Sequence, residues 1–240
     1  MTGARFWIAG LALLAAGCGP GETPPDPPGT ANVSGRATFR GTHKRPVMLI
    51  PPGDCQHHNP DKPPLKEDIV ASSDGGLRDV LVYVKAGLGA TYAAPARPAV
   101  IDQKGCAYVP HVSAIMIGQN LEVVNSDATY HNVHFHARKN AERNFSMEGV
   151  GRRLLKAPFE NPELGIPIEC DQHSWMDARL HVLPHPKFAV TGGDGRFEIS
   201  GLPPGTYTVA ALHDALGERT IQVTLADAES RGGLEFLFEK

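Results

Sequence analysis

The chain has 240 residues, 41% of them hydrophobic, which is enough to bury a core and suits one large or two small domains. Lys and Arg number 23 against 26 Asp and Glu, a net charge of -3, and no basic run marks a nucleic-acid surface. This balance argues against a disordered chain and against nucleic acid as a partner.

Residues 1–17, MTGARFWIAGLALLAAG, carry one early positive charge and then an apolar core ending in small residues, the layout of a secretory signal peptide. The apolar run is too short to span a bilayer. It ends at Cys18 in LLAAGC, which resembles the lipobox of bacterial lipoproteins, although Ala15 stands where Leu is usual. The resemblance implies lipidation of Cys18, with residues 18–32, including GPGETPPDPPGT, as a Pro/Gly-rich tether. An ordinary cleaved signal is the alternative. Either way the expected location is the cell envelope, and with the anchor it is periplasmic or cell-surface, in membrane contact.

After the signal the chain shows short alternating runs rather than helical periodicity: VSGRATF, DVLVYVK, SAIMIG, NLEVVN, HNVHFH, ARLHVL, RFEIS, TYTVAAL and TIQVTL. Gly, Pro, Asn and Asp separate them, which predicts an all-β fold of antiparallel sandwiches. In the C-terminal part a Gly-Asp-Gly turn and a Pro-Pro-Gly turn punctuate the strands. Thr191 to Phe197 and Leu202 to Tyr207 fit T-x-x-x-G-x-F and L-P-P-G-x-Y, so this part resembles the carboxypeptidase regulatory-like (transthyretin-like) sandwiches. With VSGRATFRG and GGLRDVLVYVK as its opening strands, that sandwich is expected over residues 33–92 and 185–240, with a second domain, 93–184, inserted. Two consecutive domains are the alternative. The outer sandwich is expected to contact carbohydrate or protein.

The middle segment carries the chemistry. In HNVHF, alternation puts His131, Val133 and Phe135 on one strand face and Asn132, His134 and His136 on the other. His131 and His134 therefore cannot grip one metal from a regular strand. Some 35 residues on, CDQHSWM brings Cys170, His173 and Met176 together at three-residue spacing on a tight turn. A thiolate, two imidazoles and a thioether form the donor set of a blue copper electron-transfer site. Zinc would accept Cys and His but gains little from Met.

The C-x-x-H-x-x-M loop with the upstream NSDATYHNVHF is similar to the cupredoxin family, and most to its amicyanin-type members, over about 90 residues. The resemblance implies a Greek-key β-sandwich holding one type 1 copper through His131, Cys170, His173 and Met176. It also implies that the Asn132 backbone N–H bonds the Cys170 sulfur, and that the edge of His173 is the electron entry point. Ser174 and Trp175 depart from the family loop, which usually has Pro and Phe there; Trp175 is read as a hydrophobic cap, a docking surface or a core residue.

The flanks of Cys170 are Glu169 and Asp171 rather than the His residues that wire a multicopper oxidase, so the expectation is an electron carrier and not an enzyme. Its partner would be a redox protein of the envelope; the alternatives are copper storage or delivery, or an envelope binding or adhesion module. In an oxidising compartment spare thiols pair, so with Cys170 on the metal Cys55 and Cys106 form a disulfide. A separate metal site at Cys55, His57 and His58 is the weaker option, because that stretch is Pro-rich. The remaining histidines, His43, His111, His181, His185 and His213, are read as surface or structural.

Overall fold

The computed structural model describes residues 29–42, 47–48, 55, 65–66, 68–89 and 91–240. Residues 1–17, Cys18 and most of the 18–32 tether lie outside the described residues, as do His43, His57 and His58.

The architecture is all-β, as the alternation predicts. In chain order the first strands are β1 (Ala31–Arg40), β2 (Val47–Met48), β3 (Leu65–Lys66), β4 (Leu81–Ala86), β5 (Ala99–Gln103) and β6 (Tyr108–Val109). They continue with β7 (Val112–Met116), β8 (Leu121–Asn125), β9 (His131–Phe135), β10 (Arg143–Met147), β11 (Gly151–Leu155) and β12 (Glu163–Glu169). The last are β13 (Asp177–Leu183), β14 (Phe188–Val190), β15 (Arg196–Leu202), β16 (Gly205–His213), β17 (Gly217–Leu225) and β18 (Ser230–Glu239).

Two sheets, ordered β15-β1-β18 and β14-β4-β16-β17, draw their strands from either side of residues 99–183. The strands within 99–183 make two others, β10-β9-β12-β13-β7 and β11-β8-β5-β6, while β2 pairs with β3. β1 starts two residues before the expected boundary at 33. Ala31 is fully buried and pairs with Leu202, so Ala31 and Asn32 belong to the sheet and not to the tether.

Each pair of sheets closes over its own core. Strand alternation sends Val33, Phe197, Val209, Phe236 and Phe238 into the first, together with Leu77. The Tyr207 hydroxyl donates to Pro203 O at 2.6 Å, tying β16 to the Pro-Pro-Gly turn. Gly195 in the Gly-Asp-Gly turn has φ +74°, and a Cβ there would lie 2.3 Å from Ala37 O, so only glycine fits. The second core holds Ile101, Leu121, Phe135, Phe159, Ile168 and Leu180, with the Phe135 and Phe159 rings edge-on at 5.5 Å. Burying each such side chain is worth about 1.5–3 kcal/mol.

A smaller buried cluster, Leu81, Tyr83, Leu183 and Ala210, joins the two halves. Polar ties surround it: Arg179 Nε lies 2.6 Å from Asp214, His111 Nδ1 lies 3.3 Å from Asp79, and His185 Nε2–H donates to Val84 O. His181 accepts from Gly165 N–H and His213 from Ala215 N–H. These four histidines thus serve structural hydrogen bonds or ion pairs. What matters for the site is that β9 and β12 are neighbours in one sheet, and that the turn from β12 to β13 is CDQHSWM.

Candidate metal centre

β9 starts at His131, which is fully buried, and the loop after β12 starts at Cys170, which is 3% exposed. Three backbone hydrogen bonds close that loop: Cys170 N–H to Met176 O, Met176 N–H to His173 O, and His173 N–H to Cys170 O. The seven residues therefore form a compact double turn that holds Cys170, His173 and Met176 in a fixed relation. Met176, 2% exposed, packs in the same core as Cys170.

The side chains converge. His131 Nδ1 lies 3.0 Å from His173 Nδ1, Cys170 Sγ lies 3.6 Å from His173 Nδ1, and His131 also contacts the Cys170 thiol. His131, Cys170 and His173 thus offer ligand atoms all within 4.8 Å of one another. Around one ion with bonds of about 2.0–2.1 Å to nitrogen and 2.3 Å to sulfur, tetrahedral or trigonal angles put ligand atoms about 3.3–3.8 Å apart. The spacing fits a first-row metal with little adjustment.

The outer partners assign the imidazole protons. His131 Nε2 lies 2.9 Å from the buried Asp127 carboxylate, which also accepts the Gly105 and Cys106 N–H groups at 2.8 Å each. Burial pushes the Asp127 carboxyl up, but the His131 bond and those two amides outweigh it and hold it below its usual range. Asp127 is therefore a carboxylate, and His131 carries its proton on Nε2. His173 Nε2 lies 3.6 Å from Cys55 Sγ, a disulfide sulfur without a proton, so His173 is the donor there. The Nδ1 atoms of the two rings face each other at 3.0 Å. Such a pair needs a proton or a cation between them.

Cys170 is poised to complete the set. Burial pushes its thiol up, but the His131 contact and the backbone N–H groups of Asn132, Gln172 and His173 bring it below the ordinary value. The Asn132 N–H thus reaches the sulfur from the neighbouring strand. Its side chain also joins β9 to the loop, accepting Asp171 N–H at 2.6 Å and donating to the Asp171 carboxylate at 2.9 Å. The family resemblance implies only the backbone bond for Asn132.

Cys55 and Cys106 are joined by a disulfide that forms one wall of the centre. The Nε2 edge of His173, expected to be the electron entry point, is half-buried and turned toward this bridge. Trp175 lies over His173 with ring centroids 5.0 Å apart, and its Nε1–H donates to Cys106 O. Asp127 had no role in the sequence reading. The signal available for it was its place four residues before His131 in NSDATYH. His134, set aside by alternation, indeed faces away from His131, and with His136 and Glu142 it forms a second group of metal-ligating atoms.

No family model matches the chain, and no curated protein matches it. Solved structures are similar over part of it. A copper-containing nitrite reductase (NirK) from Thermus scotoductus SA-01 is 20% identical with a TM-score of 0.33, the match spanning 42% of this chain and 25% of that one. The oxidized form of an amicyanin variant is 20% identical with a TM-score of 0.32, over 42% of this chain and 98% of that one. A purple cupredoxin from Nitrosopumilus maritimus is 18% identical with a TM-score of 0.30, over 35% of this chain and 99% of that one.

Proposed function

We propose that the chain is an exported electron carrier holding one type 1 copper through His131, Cys170, His173 and Met176. The observation that carries this reading is the convergence of His131 Nδ1, His173 Nδ1 and Cys170 Sγ, with the two imidazole nitrogens 3.0 Å apart and the sulfur 3.6 Å from His173 Nδ1. Thiolate and thioether suit Cu(I), imidazole accepts both oxidation states, and copper bound there supplies one-electron transfer.

The protein's part is to keep the ligands still. Asp127 and the Cys55 sulfur fix the two imidazoles, the three loop hydrogen bonds fix the turn, and Asn132 ties strand to loop. Ligands held this way move little when charge is gained or lost, which favours fast exchange over copper release. The anchor at Cys18 and its tether would raise the effective concentration of the carrier near a redox protein of the envelope. The outer sandwich would add contact with carbohydrate or another protein.

The test is to load the protein with copper, cycle it at an electrode, and challenge the reduced form with a Cu(I) chelator. A reversible one-electron wave with copper retained is expected. Rapid, complete transfer of copper to the chelator would replace the carrier reading with storage or delivery.

The Asp127 carboxylate gives a sharper expectation. Partners that orient a metal-bound imidazole are worth about 10–100-fold in affinity. Asp127→Asn, which keeps the shape and removes the charge, should weaken copper binding by that factor in a chelator competition. Unchanged affinity would mean that Asp127 only supports the loop at Gly105 and Cys106.

A further inference from the structure

We infer that the chain carries a second metal site, for a divalent first-row ion of the Zn2+ or Cu2+ class, built by His134, His136 and Glu142. It lies on the face of β9 opposite His131 and shares no side chain with the copper set. Its existence is therefore independent of the electron-carrier reading.

The strand supplies the geometry. Residues two apart on a β-strand share a face, and the His134 and His136 rings lie with centroids 3.8 Å apart. Pairing with β12 sets Glu169 opposite His134, and the loop that follows brings Asp171 to the same edge. Glu142, one residue before β10, reaches both rings: its Oε1 is 2.6 Å from His134 Nε2 and 3.7 Å from His136 Nδ1.

Each imidazole has one nitrogen toward Glu142 and the other toward a backing carboxylate. His134 Nδ1 is 3.1 Å from Asp171, which the Asn144 amide holds in place with a 2.7 Å bond while also lying 3.2 Å from that same nitrogen. His136 Nε2 is 3.1 Å from Glu169, but it is a buried atom and the approach is not along a hydrogen-bond direction. A carboxylate hydrogen-bonded behind a ligating imidazole, as Asp171 is behind His134, is the arrangement that orients metal-bound histidines. The distances from Glu142 bracket the roughly 2.9–3.4 Å expected between oxygen and nitrogen ligands on bonds of about 2.0–2.2 Å.

Charge points the same way. Three carboxylates, Glu142, Glu169 and Asp171, gather around the two rings. One dication there would offset that concentration of negative charge. Two imidazoles and one carboxylate suit zinc or copper and leave coordination positions for water. Glu142 is 60% exposed, so the ion would face solvent and exchange with it.

The experiment uses the full chain and Cu2+ as the probe. Metal analysis and spin quantitation of the wild type should give two coppers, one with the narrow hyperfine splitting of thiolate-bound copper and one with the wide splitting of nitrogen and oxygen ligation. His134→Asn with His136→Asn should lose the second copper, weakening it by more than the roughly 100-fold that an orienting partner is worth, and keep the first. Glu142→Gln, a single change at an exposed position, should weaken the second copper alone. Cys170→Ser should do the reverse, removing the narrow signal and leaving the wide one. A wild type binding one copper that the double variant retains would overturn the second site, as would a second copper that survives the double variant. If the narrow signal is missing everywhere but the wide one depends on His134 and His136, the second site stands and the electron-carrier reading falls.

Discussion

Replacing the bridge with Cys55→Ala and Cys106→Ala is expected to lower the unfolding free energy by about 4 kcal/mol, read from the midpoint of urea denaturation. The bridge joins residues 51 apart, and a closed loop of that length removes about that much chain entropy from the unfolded state. Both half-cystines are buried, at 3% and 0% exposure, so nothing in solvent replaces their packing. The loss should spread to the metal centre. Cys106 presents its N–H to Asp127 and its carbonyl to Trp175, while Cys55 abuts His173. Copper affinity should therefore fall with stability. A change below about 1 kcal/mol with affinity intact would mean that the bridge is no structural tie between this segment and the site.

The elements of the site were legible where the signal is local. Alternation in HNVHF separated His131 from His134, because a strand has a period of two whatever surrounds it. The spacing in CDQHSWM was legible for the same reason, since seven residues closed by their own backbone bonds need no distant partner. Long-range contacts were not legible. The contact of Cys55 with His173 spans 118 residues, and the pairing that sets Glu169 against His134 depends on which strands become neighbours. Alternation says that a segment is a strand and which residues share a face; it does not name the strand beside it. Parallel pairing of β1 with β18 illustrates this, as the two lie at opposite ends of the described chain.

His134 and His136 show a related gap. His134 and His136 lie on the strand face away from Cys170, and the alternation that excludes them from one centre gathers them on one face. What alternation does not show is that Glu142, eight residues along the chain, folds back to lie 2.6 Å from His134. Asp127 is intermediate. Its place four residues before His131 was visible, but its role follows from the loop of Gly105 and Cys106, whose amides make it a buried carboxylate.

The largest expected effect belongs to Cys170, and it tests the central claim most directly. Thiolate ligation gives copper an intense visible charge-transfer absorption that imidazole and thioether cannot supply, and Cys170 is the one free cysteine among the described residues. Adding Cu(II) to the purified, tag-free protein should produce an intensely coloured species with narrow copper hyperfine splitting in its EPR spectrum. Cys170→Ser should stay essentially colourless under the same conditions while its far-UV circular dichroism remains unchanged. A wild type that stays colourless, or a variant whose spectra match the wild type, would contradict the assignment of a copper centre on Cys170.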